Sequence, residues 1–296
     1  MNLIINTPGT FLSKRGECFF LQKDEEKQEI SAHKVEQILI TTHAALSTDA
    51  IELAIENNID IVFLKSSGQP FGRVWHSKLG SITTIRRKQL FLQDHPLGLQ
   101  LVKEWITEKL SNQIALLDKL GINRRDERRE EIKKAVEIIK RLKENIDSID
   151  SKCTVNDVRE TILGYEGTAG RIYFEVLGKL IPSEYTFSGR SRNPALDPYN
   201  CMLNYSYGIL YSSVEKSCII AGLDPYIGIL HTDNYNKKAL VYDLVEMYRG
   251  IMDEMVFKMF STKKIKDEYF DKLEDVILSI LLYTFFSNDL WFCAGI

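Results

Sequence analysis

The hydrophobic period of this chain changes once, near Ser81, and that change constrains the fold more than any other feature. Before it, short apolar and β-branched runs (Leu3–Ile5, Phe11–Leu12, Cys18–Leu21, Val35–Ile40, Ile59–Leu64, Phe71–Trp75) are separated by Pro-Gly, Lys-Arg-Gly, a charged Lys23–Glu29 loop and Ser-Ser-Gly, the punctuation of strands and hairpins. One helix opened by Ser47 or Thr48 and covering Ala50–Asn57 interrupts them. After it, Ile85–Gln93, Leu97–Leu120, Arg124–Ile146, Thr154–Leu180 and Asp197–Ala221 repeat apolar residues at helical spacing, with short breaks. The expectation is an α+β chain, with a β-rich lobe over 1–83 and a larger α-helical catalytic domain over 84–296.

The net charge of −3 and pI near 6.0 exclude a polycation that coats nucleic acid, so any DNA contact must come from a local basic patch. Five scattered cysteines without CxxC spacing read as reduced thiols, and the N-terminus shows no signal-peptide pattern, so a cytoplasmic protein is expected. The most apolar run, Val276–Phe286, falls well short of the ~20 residues that span a bilayer; the Lys266–Phe286 segment reads as an amphipathic, then buried, core helix. His33, His43 and His76 are isolated, and the mixed-sign Arg124–Arg141 run reads as a solvated helix face.

Chemistry concentrates in two stretches. In Gly222–Arg249, His231 precedes a helical run carrying Asp243 and Glu246, whose spacing puts them on one helix face, roughly 5–6 Å apart at Cβ. Carboxylates among Leu240, Val241, Leu244 and Val245 need a partner, a proton or a metal; the bland alternative is a solvated face with Glu246 paired to Arg249. In Thr154–Leu180, a Thr154/Asp157 capping pair opens a helix in which Glu166 is flanked by Gly164, Gly167 and Gly170. Three helical glycines cost on the order of 2–3 kcal/mol against alanine, which implies close approach of a helix or a ligand backbone. A basic loop with Arg190 and Arg192 then leads to Asp197-Pro198, read as N-cap and N1 of the next helix. Glu166, His231 and Glu246, with Asp243 beside them, are hard ligands that suit Mg²⁺ or Mn²⁺ better than Zn²⁺ or Ca²⁺. Neither a GxxxxGK[ST] loop nor a GxSxG elbow is present.

Four ordered motifs, GYEGTAGRIYF (164–174), NPALDPYNCMLNYSY (193–207), GLDPYIGILH (222–231) and LVYDLVE (240–246), resemble the CRISPR-associated integrase family Cas1 over most of the chain. The resemblance implies a metal-dependent DNA endonuclease and integrase that inserts short foreign segments into a CRISPR array. It places Glu166, His231 and Glu246 on the family's metal ligands and Asp243 on the accompanying acid. It further implies a homodimer paired through the β-rich lobes, two such dimers flanking a Cas2 dimer, and double-stranded DNA as substrate. Arg171, Tyr173, Arg190, Arg192, Asn204 and Tyr207 lie in or beside matched motifs and are candidate DNA contacts. The implied chemistry is in-line attack of a 3′-hydroxyl on a repeat phosphodiester, with the general base unassigned. Met247-Tyr-Arg249-Gly250 replaces a common Phe-Arg-Pro, and the chain ends at Ile296 without a basic tail, so integration is expected to be less secure than nuclease chemistry. The competing readings are a metal-dependent nuclease of branched DNA and an inactive scaffold.

Overall fold

A computed structural model describes residues 1–65, 70–74, 83–192, 194–232, 237–266, 269–273 and 276–279. The chain divides into two compact units, Met1–Leu79 together with the segment from Lys266 onward, and Gly80–Ile265.

The first unit holds β1 (Asn2–Ile5), β2 (Phe11–Arg15), β3 (Cys18–Lys23), β4 (Glu26–Ser31), β5 (Gln37–Ile40), β6 (Ala45–Leu46), α1 (Thr48–Glu56), β7 (Asp60–Leu64) and β8 (Pro70–Val74). One sheet has the order β1-β5-β7-β8, parallel except for β8; the other, β4-β3-β2-β6, is antiparallel except for β6. All four residues of β5 are buried because it pairs on both edges, which explains its unbroken apolar sequence. Ser47 is the N-cap of α1, its hydroxyl accepting the Ala50 N–H at 3.2 Å. Leu12 and Phe19 of one sheet, Ile38 and Ile61 of the other, and Leu53 of α1 join one core.

Two expectations are corrected here. The Lys23–Glu29 loop is largely strand β4: its charges stand exposed on a sheet edge, where they discourage edge pairing. The expected helix over Lys266–Phe286 is instead an antiparallel pair, β9 (Phe270–Leu273) and β10 (Val276–Ser279), as far as the described residues run. Its Val-Ile-Leu run suits a strand as well as a helix, and apolar content alone does not separate the two. His76, Trp75, Asn193 and 280–286 lie outside the described residues.

The second unit is helical: α2 (Thr83–Phe91), α3 (Pro96–Gly121), α4 (Glu127–Asp147), α5 (Val155–Leu180), α6 (Pro198–Ile220), α7 (Ala239–Val245) and α8 (Arg249–Ser261). Asp157 accepts both the N–H and the hydroxyl of Thr154 at 2.8 Å, and Asp197 caps α6 by accepting the Asn200 N–H at 2.7 Å. Ile132, Ala135, Val136 and Ile139 form the buried stripe of α4, and its remaining face is charged and exposed. No helix among the described residues is long and apolar enough to cross a membrane.

Candidate functional site

Lys109 is the organising residue of the site, and only its register on α3 hints at it in the sequence. On α3 it continues the buried row of Val102, Trp105 and Ile106 toward Gln113 and Leu117, so its ammonium is carried inward and is 5% exposed. There it meets the Glu166 carboxylate of α5 in a short ion pair and lies 2.5 Å from Glu246 Oε2. Glu246 Oε2 is buried, and the Lys109 ammonium is its charge partner. Arg249 approaches the other Glu246 oxygen at 3.1 Å. Burial alone would push the Glu246 carboxyl up, but Lys109 and Arg249 outweigh it and hold the group below the usual carboxylate range. Arg249 is raised in turn: burial opposes its charge and Glu246 more than restores it.

Glu246 does not continue the α7 helix as expected. Glu246–Tyr248 forms a single 3₁₀ turn between α7 and α8, so Asp243 and Glu246 serve different partners. Asp243 is fully buried, accepting the backbone N–H groups of Ile229 (2.6 Å), Leu230 (3.1 Å) and His231 (3.0 Å), and its Oδ1 lies 2.7 Å from His231 Nδ1. Arg159 of α5 clamps the same loop by donating to Leu230 O at 2.8 Å, and Gln93 donates to Gly228 O at 2.9 Å. The His231 ring is partly exposed and close enough to Glu246 to act on its charge.

Glu166, Lys109 and Arg249 line a cavity of about 560 Å³ with Gly167, Gly170, Arg171, Arg190, Arg192 and Tyr207, and Glu246 is joined to it through its pairs with Lys109 and Arg249. Of the two reasons expected for the α5 glycines, a closely packed helix is set aside, because a Cβ at Gly164, Gly167 or Gly170 would meet nothing within 4 Å. Gly167 and Gly170 instead keep the cavity wall low beside Glu166. Gly250 does mark a close approach: a Cβ there would lie 2.9 Å from Asn112 Cβ, so its place in the departing Met247–Gly250 sequence seats α8 on α3.

The six candidate DNA contacts separate by burial. Arg171 and Arg192 are exposed at the cavity, Arg171 in a surface pair with Glu175 at 3.0 Å. Arg190 is committed to Ser191 O, Asn200 and Asn204, and Asn204 also donates to Arg192 O at 2.7 Å, so both pin the loop to α6. Tyr173 is fully buried and Tyr207 nearly so, each donating its hydroxyl to Asp253 of α8. Tyr173 is therefore corrected from a DNA contact to a core residue. Asp253 was missed in the sequence; its signal is an acid at the core register of Val256, Phe257 and Phe260. Burial pushes its carboxyl up, and the two tyrosines pull against that.

The donor chemistry fits a hard divalent cation in kind, and the two carboxylates fit in position, since they already share one cationic point at Lys109. Glu246 Oε2, buried with the Lys109 ammonium beside it, is a carboxylate oxygen that such an ion would share with or take from that lysine. Among the described residues no three of His, Cys, Asp and Glu are gathered closely enough to hold a metal ion, so His231 is not drawn into one cluster with Glu166 and Glu246.

The fold and sequence have known counterparts. The chain is 35% identical over 283 residues to CRISPR-associated endonuclease Cas1 1 of Archaeoglobus fulgidus, covering 92% of this chain and 81% of that protein. Its fold matches a casposase bound to integration product (TM-score 0.76, 24% identity, 94% of this chain and 78% of that one). It also matches a chain of a Cas6-RT-Cas1–Cas2 complex (TM-score 0.79, 22% identity, 98% of this chain and 32% of that one). The model of the family described as CRISPR associated protein Cas1 matches residues 3–283, and the chain belongs to that family.

Proposed function

We propose that this chain is a metal-dependent DNA endonuclease and integrase, joining short DNA segments to a CRISPR array in the cytoplasm by transesterification. The observation that carries the reading is the meeting of the Glu166 and Glu246 carboxylates at one cationic point beside a cavity bordered by Arg171, Arg190, Arg192 and Arg249. The Archaeoglobus relative, an endonuclease, supports nuclease chemistry, and the likeness in fold to a casposase bound to integration product and to a chain of a Cas6-RT-Cas1–Cas2 complex supports strand joining beside Cas2; the homodimer and the Cas2 dimer are part of the proposal.

Glu166 and Glu246 would hold Mg²⁺ or Mn²⁺; His231, which this structure does not gather with them, is the third donor of the proposal. When bound, such an ion supplies Lewis-acid neutralisation of charge on the transferring phosphoryl oxygens. The remaining tasks belong to the chain. Asp243, an acceptor when ionised, would hold a proton on Nδ1 of His231, which leaves Nε2 as the ring's lone-pair atom. Arg249, stacked 5.0 Å over Tyr207, orients Glu246 and adds fixed positive charge. The exposed guanidinium groups of Arg171 and Arg192 bind the phosphate backbone, and the low wall at Gly167 and Gly170 lets it approach Glu166.

The test is strand transfer of a labelled duplex into a supercoiled repeat plasmid, with Mn²⁺ or Mg²⁺ and the Cas2 partner, comparing wild type with Glu166→Ala and His231→Ala. Joined product that disappears in both variants is expected. Metal-dependent cutting of branched DNA without joining would replace this reading with a structure-specific nuclease, and DNA binding with neither activity would leave a scaffold.

A further inference from the structure

We propose that Lys109 is a built-in counter-ion of the cation site: it holds Glu166 and Glu246 together before a divalent ion arrives, and competes with that ion for them. The inference rests on the reading of these two acids as cation ligands.

Glu166 and Glu246 come from elements far apart in sequence, yet their carboxylates reach the same ammonium. Side by side and largely screened from water, two carboxylates repel, and a cation between them removes that repulsion. Lys109 supplies it from a side chain 5% exposed. A divalent ion placed between the same oxygens would face the ammonium at contact distance, so the lysine has to withdraw for the ion to seat.

The structure gives it somewhere to go. Lys109 borders the cavity, and so does Gln113, one turn further along the same helix face. Gln113 is 3% exposed, and its Oε1 has no hydrogen-bond partner, an uncommon condition for a buried amide. An ammonium rotated out of the carboxylate pair would find an acceptor there, next to the space where a phosphate backbone would lie. Lys109 thus links metal arrival to the appearance of a positive charge in the cavity.

Three measurements test this. In the wild-type protein, reductive methylation of lysines read by peptide mass spectrometry should label Lys109 poorly in EDTA and clearly more in Mn²⁺; labelling that is unchanged or reduced by Mn²⁺ overturns the proposal. In calorimetric titrations with Mn²⁺ alone, Lys109→Met and Lys109→Gln should bind the ion about tenfold or more tightly than wild type, since a competing charge has been removed. The same variants should melt below wild type in EDTA and recover more on adding Mn²⁺. Equal or weaker Mn²⁺ affinity in both overturns the proposal, with Lys109 then a supporting member of the site. If wild type and both variants bind Mn²⁺ no better than Glu166→Gln/Glu246→Gln, the cation-site reading itself fails, a result distinct from failure of the counter-ion role alone.

Discussion

Asp243 grips His231 twice through one oxygen: Oδ1 accepts the backbone N–H at 3.0 Å and meets ring Nδ1 at 2.7 Å. Its other oxygen takes the N–H groups of Ile229 and Leu230, so a single carboxylate fixes both the loop and the plane of the imidazole ring. Asp243→Asn offers one acceptor where two are needed and should cost about 2 kcal/mol in urea denaturation by stranding buried donors. His231→Ala leaves the three backbone bonds intact and should cost less stability, while abolishing metal-dependent cleavage as fully. Equal stability losses would mean that the ring, not the loop, is what Asp243 secures.

Glu246 gives the site a pH signature. Its folded pKa lies below its unfolded value, so its contribution is fully present above about pH 4.3 and is lost as pH falls through the folded value. Glu246→Gln, which deprives Lys109 and Arg249 of a buried partner, should be destabilised by about 3–5 kcal/mol at pH 7. That gap should hold to about pH 5 and then close on further acidification, as the wild-type carboxyl becomes neutral. Denaturation curves at stepped pH check this, and a gap that persists unchanged at pH 3 contradicts it.

Asp253 should show the opposite sign. Burial raises its carboxyl, so its contribution is fully present below the unfolded pKa and diminishes as pH rises through the folded one. Wild type should therefore gain stability over Asp253→Asn as pH falls from 7 toward 4. At pH 7 Asp253→Ala, which strands the Tyr173 and Tyr207 hydroxyls, should lose about 2–4 kcal/mol, more than Asp253→Asn. Similar losses in the two variants would show that the tyrosines find other partners.

The legible parts of this chain are those encoded locally. Ser47, Thr154/Asp157 and Asp197-Pro198 announce helix starts because capping is a matter of a few adjacent residues. The acids and His231 were legible through motif resemblance. Lys109 and Asp253 were not, because a polar residue on an apolar stripe declares only that it has a buried partner, and Glu166, Glu246, Tyr173 and Tyr207 are supplied by elements distant in sequence. Strand β4 was hidden by its charges, since an edge strand with one exposed face shows no apolar alternation. The 3₁₀ turn at Glu246–Tyr248 was hidden by spacing, because three residues fit an α-helical face and a break in the helix equally well.

The division of the six candidate DNA contacts by burial sets the last prediction. Phosphate contacts release counterions, so each one lost should lower the slope of log affinity against log salt by about 0.9. Arg171→Ala and Arg192→Ala should each weaken duplex binding and flatten that slope, because both side chains are exposed at the cavity and the Arg171–Glu175 pair is a solvent-screened surface contact that yields readily to a phosphate. Arg190→Ala should act chiefly on stability, since its guanidinium holds the 188–192 loop to Asn200 and Asn204. Tyr173→Phe removes only a buried bond to Asp253, so affinity and salt slope should both stay at the wild-type value. A salt slope lowered by Tyr173→Phe and untouched by Arg171→Ala and Arg192→Ala would place the DNA on a different face of the helical unit.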